Sequence, residues 1–248
     1  METLERRVPD GGAMSADEAK QKVIDAGLIL EANGLGDLTR GHVSLRVPGD
    51  PQHFYMKPHS FGFDEITMEN IVVCNLAGEK VGGAGRRHSE VFIHSEIFRA
   101  RPDVMSVIHA HPTHAVALSA TGKRVRPISQ PGVAFRDGVP CYTGGIDLIR
   151  KQEMGAAVAR ALGPHKATVL RNHGVAVVGA SVEEATILTI MLENACHIQL
   201  LAEAAGGIAE EFAADEIDRL HHNITRAEQY VVNFEYLRRK ARRALPLA

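Results

Sequence analysis

An α/β fold is what this sequence predicts, on three observations. Short apolar, β-branched runs suited to strands recur along it, residues 104–112 and 175–178 being the clearest. Longer segments with helical spacing lie between them, and two open on capping boxes, Ser15 with Glu18 and Ser181 with Glu184. No repeat or linker divides the chain, so its 248 residues are expected to form a single domain, 1–248, with one sizeable core.

Residues 1–14, with Pro9, Gly11 and Gly12, read as a flexible arm. A helix from Ser15 to about residue 33 carries Val23, Ala26 and Leu30 on one side and stops at Gly34 and Gly36. Val43, Leu45 and Val47 then alternate with Ser44 and Arg46, the pattern of a half-buried strand. Gly41 before it would allow a close approach of backbone to a ligand. A turn at 48–51 leads to strands at 54–57 and 71–75. Residues 82–87 are a glycine-rich basic loop without the Lys-Ser/Thr of a P-loop, so no nucleotide site is assigned there. Ser89 is expected to cap a helix with Glu90 in its first turn and Val91, Ile93, Ile97 and Phe98 as apolar positions.

Beyond the strand at 104–112 come a short helix at 115–120, an irregular stretch at 124–142 with three prolines, and a helix at 148–162. Strands at 168–170 and 175–178 form a hairpin around His173. A long helix runs from Ser181 to 203, and a charged amphipathic helix within 214–248 is a candidate for a subunit interface.

Composition excludes several classes. A net charge of -2 provides no field for nucleic acid, and the basic cluster at 238–243 fits a solvated helix. Three cysteines without a C-x-x-C point to a reducing compartment. The N-terminus lacks the apolar core of a signal sequence, and no run approaches the roughly 20 apolar residues of a membrane span. A soluble, cytoplasmic protein without nucleic-acid or membrane partners is expected.

Thirteen histidines stand out against four tyrosines and no tryptophan. His109 and His111 are spaced by two in a strand, so both imidazoles point to one face. They either cap the strand or converge on a metal ion. His173, in its tight turn, offers a third imidazole, and two neighbouring ligands plus a distant one leave positions open for substrate. A structural zinc would need a fourth protein ligand, which no cysteine set supplies.

Residues 88–112 (H-S-E-V-F-I-H-S-E-I-F-R-A-R-P-D-V-M-S-V-I-H-A-H-P) and 171–179 (R-N-H-G-V-A-V-V-G) resemble the class II aldolase/adducin family. The resemblance extends to T-R-G-H-V-S-L-R-V-P at 39–48 and K-P-H at 57–59, and covers roughly 19–205. It implies a three-layer α/β/α sandwich around a mainly antiparallel sheet, and a homotetramer with the active site near a subunit interface. It also implies one divalent metal ion per subunit on His109, His111 and His173, with Glu90 as acid/base. Imidazole ligands do not distinguish zinc, manganese, iron or cobalt.

The chain departs from the family's sugar-phosphate aldolases. Their T-S-G-N-x-S and S-S-E phosphate cradle reads here T-R-G-H-V-S and H-S-E, so Arg40, His42 and His88 replace small neutral donors and Ser89 is retained. Residues 124–136 lack the tyrosine that serves fuculose-phosphate aldolases as proton donor, which leaves Tyr142, Tyr230 and Tyr236 as distant substitutes. The resemblance is therefore closer to members that decarboxylate hydroxyaromatic dicarboxylates, such as dihydroxyphthalate or hydroxypyridine-dicarboxylate. On that reading Glu90 or His88 delivers the proton, because histidine titrates near neutrality. Arg40, His42, Ser89, Arg86 and Arg87 would hold the small-molecule substrate. An aldolase or epimerase of sugar phosphates and a non-catalytic adducin-like module are the alternatives. His53, His59, His94 and His114 are read as structural, with His94 reaching no further than the back of Glu90.

Overall fold

The structure, a computed structural model, describes residues 14–208 and 212–244. The arm expected over 1–14 lies, apart from Met14, outside the described residues, as do residues 245–248 of the expected 214–248 segment.

Helix α1 (Ala16–Ala32) opens on the expected box: Ser15 Oγ accepts from the Glu18 N–H, and Glu18 accepts from the Ser15 N–H. Strands β1 (His42–Val47), β2 (Asp50–Met56), β3 (Val72–Asn75) and β4 (Lys80–Gly82) form an antiparallel meander. After α2 (Val91–Ala100), β5 (Ser106–Ala110) returns beside β1. Helices α3 (Thr113–Ala120) and α4 (Gln130–Val133), strand β6 (Cys141–Tyr142) and helix α5 (Gln152–Leu162) follow. The β7 (Ala167–Leu170) and β8 (Gly174–Gly179) hairpin then closes onto β5. Helices α6 (Val182–Ala204), α7 (Ala214–Ile224) and α8 (Ala227–Ala244) end the described chain.

The sheet has the order β4-β3-β2-β1-β5-β8-β7-β6 and is antiparallel except for the β6–β7 pair. Alternation along the strands feeds two cores. Val43, Leu45, Ile108, Val175 and Val177 face α1, α3, α6 and α8. Phe54, Met56, Val107, Ala176 and Val178 face α2 and α5. The molecule is the α/β/α sandwich that the resemblance implied.

Several local expectations are corrected. β1 is not half-buried: His42, Ser44 and Arg46 face α2 instead of water, and all three are buried. Arg46 is accommodated because its guanidinium donates to the carbonyls of Val104, Pro51 and Phe98 and lies over the Phe98 ring. The helix expected from 148 starts only at Gln152, because the Ile149 N–H is drawn to Glu90. The final helix breaks at Thr225 into α7 and α8, with Thr225 Oγ1 bonded back to the His221 carbonyl. In α6 the capping box is half-formed: Ser181 accepts from Glu184 N–H, but the Glu184 carboxylate takes the Ala180 N–H instead.

α6 also corrects the statement that no run approaches a membrane span. The helix is 23 residues long and an 18-residue window of it has mean hydropathy 1.3, enough by length and composition alone, yet half of that window is buried inside this fold. Its acids are engaged as in a core helix: Glu183 pairs with Lys22, and Glu193 accepts from His114.

Candidate metal centre

The site lies at the ends of β1 and β5, on the face covered by α2. Pairing sets His42 opposite His109 across β1 and β5, and the tight β7–β8 turn brings His173 alongside. That turn needs Asn172 at φ 59 and a glycine at 174, where a Cβ would sit 2.5 Å from the Ala110 carbonyl. Gly41, at φ 73, permits a close approach to the Phe63 ring and the His109 carbonyl.

His109, His111 and His173 bring one ring nitrogen each within 4.8 Å of one another, and a second set, a ring nitrogen each from His42 and His109 with a Glu90 carboxylate oxygen, meets the same limit. Tautomers follow from the outer nitrogens. His109 Nδ1 lies 2.9 Å from the Val175 carbonyl, and His111 Nδ1 lies 2.8 Å from Asp37 Oδ2, so each must donate. Their Nε2 atoms then carry lone pairs and face each other 3.1 Å apart. Neither His173 ring nitrogen has a partner. Lone pairs so placed repel unless a cation lies between them, and three imidazoles suit a divalent transition ion. The residues fit the metal that the resemblance implies.

Glu90 is the N-cap residue of α2, one position before the expected first turn, and Ser89 makes no cap bond. The sequence favoured Ser89 by residue type; the chain instead uses the carboxylate for the site. Glu90 Oε1 accepts from Ile149 N–H at 2.9 Å and lies 3.6 Å from His173 Nε2. Its Oε2 is 3.8 Å from both His42 Nε2 and His109 Nε2. Burial pushes the Glu90 carboxyl above its usual range, against the Ile149 hydrogen bond.

Other expected residues divide. Arg40 pairs with Asp37 at 2.8 Å, and both line a cleft of about 440 Å³ with His111, Thr113, Ile146, Leu148 and His173. Arg86 and Arg87 do not line it: Arg87 lies over the Phe92 ring, and Arg86 is exposed on its own loop. His88 is buried beside His42, ring centroids 4.2 Å apart. Burial, helped by Lys57, pushes His88 down to about 3, which removes near-neutral titration as a reason to make it the proton donor. Burial likewise holds His42 and His109 well below the ordinary imidazole range, which favours neutral rings at both positions.

Sequence reasoning missed Asp37 as the partner of His111, and it undervalued His94. That ring is wholly buried, with Nε2 2.6 Å from His42 Nδ1 and Nδ1 2.6 Å from Ser44 Oγ. Its position four residues after Glu90 on one helix was the available signal. None of the tyrosines lines the cleft: Tyr55 and Tyr142 are in the two cores, Tyr230 is on the buried side of α8, and Tyr236 is exposed on the same helix.

This fold and site define a class II aldolase type of protein. Residues 21–200 match the Class II Aldolase and Adducin N-terminal domain, and the chain belongs to that family, whose members are generally metal-dependent lyases acting on small molecules. It is 31% identical over 214 residues to a 3,4-dihydroxyphthalate decarboxylase of Terrabacter sp. (strain DBF63), covering 81% of this chain and 88% of that one. It is 35% identical over 185 residues to the decarboxylase NovR of Streptomyces niveus, covering 73% and 68% respectively. Among solved structures, an L-fuculose 1-phosphate aldolase from Glaciozyma antarctica PI12 superposes with a TM-score of 0.83 at 27% identity, covering 96% of this chain and 94% of that one.

Proposed function

We propose that this chain is a divalent-metal-dependent carbon–carbon lyase that decarboxylates a hydroxylated aromatic mono- or dicarboxylate, of the dihydroxyphthalate or hydroxypyridine-dicarboxylate kind. The observation that carries the reading is the facing pair of Nε2 lone pairs on His109 and His111, with His173 beside them and Glu90 above. His109, His111 and His173 are the proposed metal ligands. A divalent ion held there would polarise adjacent substrate oxygens and offset the negative charge that develops as the C–C bond breaks.

The chain's own groups do the rest. Arg40, at the mouth of the cleft and tied to Asp37, offers its planar fork to a substrate carboxylate. Glu90 Oε1 is committed to the Ile149 N–H, so Oε2 is the atom left to hold a proton toward the reacting carbon. The bond from ring carbon to carboxylate breaks, its electron pair stays with the ring, carbon dioxide leaves, and the Glu90 Oε2 proton restores the C–H bond. Decarboxylation is favoured over aldol cleavage of a sugar phosphate because His42 and His88 fill the place of the small phosphate donors with buried neutral rings. The two relatives named as decarboxylases point the same way. His88 and Ser89 are proposed only to shape that wall, and Arg86 and Arg87 only to approach a larger substrate from outside.

We further propose a cytoplasmic homotetramer of single-domain subunits. Leu38 and Ile146 support a subunit boundary near the cleft, being 79% and 69% exposed. Cys74, Cys141 and Cys196 are all free thiols, as in a reducing compartment.

The test is to load the purified protein in turn with zinc, manganese, iron or cobalt, and to measure carbon dioxide from hydroxylated phthalates beside aldehyde from L-fuculose 1-phosphate. Carbon dioxide release that is lost with chelator and restored by one of these ions is expected. Aldehyde formation without carbon dioxide would overturn the reading in favour of an aldolase.

A further inference from the structure

A second cavity, of about 410 Å³, lies where α3, the loop 122–126 and the β6–β7 edge of the sheet meet. It shares no lining residue with the metal cleft. The turn after β7 divides them, Arg171 lining this cavity and Asn172 and His173 lining the other.

Its floor is aliphatic. Leu118, Val139 and Val169 belong to the core that α3 and α6 cover, and Val125 packs against it. Ser119 also lines the cavity, but its hydroxyl is spent: it accepts from the Asn172 N–H at 3.0 Å and donates to the Val116 carbonyl at 2.7 Å. Polar recognition is left to the mouth, where Arg124, Cys141, Thr143 and Arg171 are exposed.

The charge at that mouth is one-sided. Lys123 is matched by Glu203 at 2.7 Å, whereas neither Arg124 nor Arg171 has an ion pair among the described residues. No carboxylate lines the cavity. Both guanidiniums act on the Cys141 thiol, opposing the rise that burial causes there. Their backbones are fixed as well. Gln199, wholly buried in α6, accepts from the Arg126 N–H at 2.9 Å and donates to the Arg124 carbonyl at 3.0 Å. The Arg171 N–H donates to the Tyr142 carbonyl at 3.0 Å. A single exposed arginine needs no partner but water. Two of them around one aliphatic hollow are complementary to an anion that brings its own apolar surface.

We propose that this cavity is a second ligand site, separate from the metal centre, for a small amphipathic carboxylate. Its apolar body, about one ring in size, would rest on Leu118, Val125, Val139 and Val169, and its carboxylate on Arg124 and Arg171. Guanidinium forks suit phosphate as well as carboxylate. A bare phosphate gains nothing from an aliphatic floor, however, whereas a ring gains in proportion to the apolar area it buries.

Cys141 supplies the probe. It lines the exposed mouth, while Cys74 and Cys196 are wholly buried and burial pushes both thiols up to about 12. Alkylation of the zinc-loaded protein by iodoacetamide, followed by peptide mass spectrometry, should therefore mark Cys141 first. Benzoate is expected to slow that reaction about fivefold or more, with half-protection near roughly millimolar concentration, ordinary for so small a ligand. Inorganic phosphate (the anion without the ring) and benzyl alcohol (the ring without the charge) should each need about tenfold more. Arg124→Leu and Arg171→Leu should each weaken benzoate about fivefold or more, and the first suffices if the second disturbs its turn. Arg40→Ala, in the metal cleft, should leave protection unchanged, as should removal of zinc by a chelator.

The proposal is overturned by an absence of benzoate protection, by equal protection from phosphate or benzyl alcohol, or by protection that survives both arginine variants. Protection lost with the zinc would put benzoate in the metal cleft and refute the second site. A Cys141 that resists alkylation until the protein is unfolded would refute it too, because another subunit would then cover the mouth. No arm depends on turnover, so the outcome stands whether or not carbon dioxide is ever released.

Discussion

Asp37 Oδ2 accepts a 2.8 Å hydrogen bond from His111 Nδ1, across 74 residues of sequence. The carboxylate fixes which His111 nitrogen faces the centre, and its other oxygen holds Arg40 at 2.8 Å. One side chain thus couples a proposed metal ligand to a proposed substrate anchor. Asp37→Asn, which can present an amide hydrogen where an acceptor is needed, is expected to weaken metal binding about 10- to 100-fold. Thermal stability of the metal-free protein should change little, since Asp37 is only part-buried. Competition with a chromophoric chelator checks the affinity, and unchanged affinity would mean that His111 is oriented without Asp37.

Two glycines separate site geometry from general packing. A Cβ at Gly174 would lie 2.5 Å from the Ala110 carbonyl and 2.7 Å from His111 Cδ2. Gly174→Ala should therefore cost about 1–3 kcal/mol and also displace His111, lowering metal affinity. A Cβ at Gly155 would strike the Phe92 carbonyl where α5 crosses α2, away from the histidines. Gly155→Ala should lose comparable stability yet keep wild-type metal affinity. Denaturant melts paired with metal titrations decide it; equal affinity in both variants would refute the coupling.

Lys57 gives a pH dependence whose sign is fixed. Its ammonium is buried and donates to the Thr39 and Pro58 carbonyls. Burial lowers it from 10.5 to about 8, with Glu65 opposing. Between about pH 8 and 10.5 the unfolded chain holds a proton that the folded chain has released, so stability due to this group rises with pH there. Below about 8 both states are charged, and the full cost of burying the charge is present. Relative to Lys57→Met, the wild type should gain up to about 3 kcal/mol between pH 7 and 10.5. Urea midpoints across that range test it, and parallel pH profiles for the two proteins would contradict it.

What the sequence made legible was periodic or local. The Ser15 box, the H-x-H spacing at His109 and His111 and the hairpin turn at His173 are each written within a few residues, and each formed as read. Errors arose where an element's environment came from far along the chain. Ser44 and Arg46 look solvent-facing in alternation with Val43 and Leu45, and become buried because α2, some fifty residues later, covers that face. Ser89 has the chemistry of a cap, but Glu90 occupies the cap position because the Ile149 N–H, 59 residues away, claims its carboxylate.

The amino-acid sequence by itself determined most strands and helices, because hydrophobic period is a local property, and its motifs at 39–48, 57–59, 88–112 and 171–179 carried the family resemblance that implied the sandwich and the set of His109, His111 and His173. Only the tertiary structure decided how those histidines are protonated and what surrounds them. Tautomers depend on outer partners such as the Val175 carbonyl and Asp37, and burial of His42, His88 and His94 turns residues that titrate near neutrality in water into neutral rings. Charge state is a property of the space a side chain occupies, and that space exists only once the sheet and α2 have closed over it.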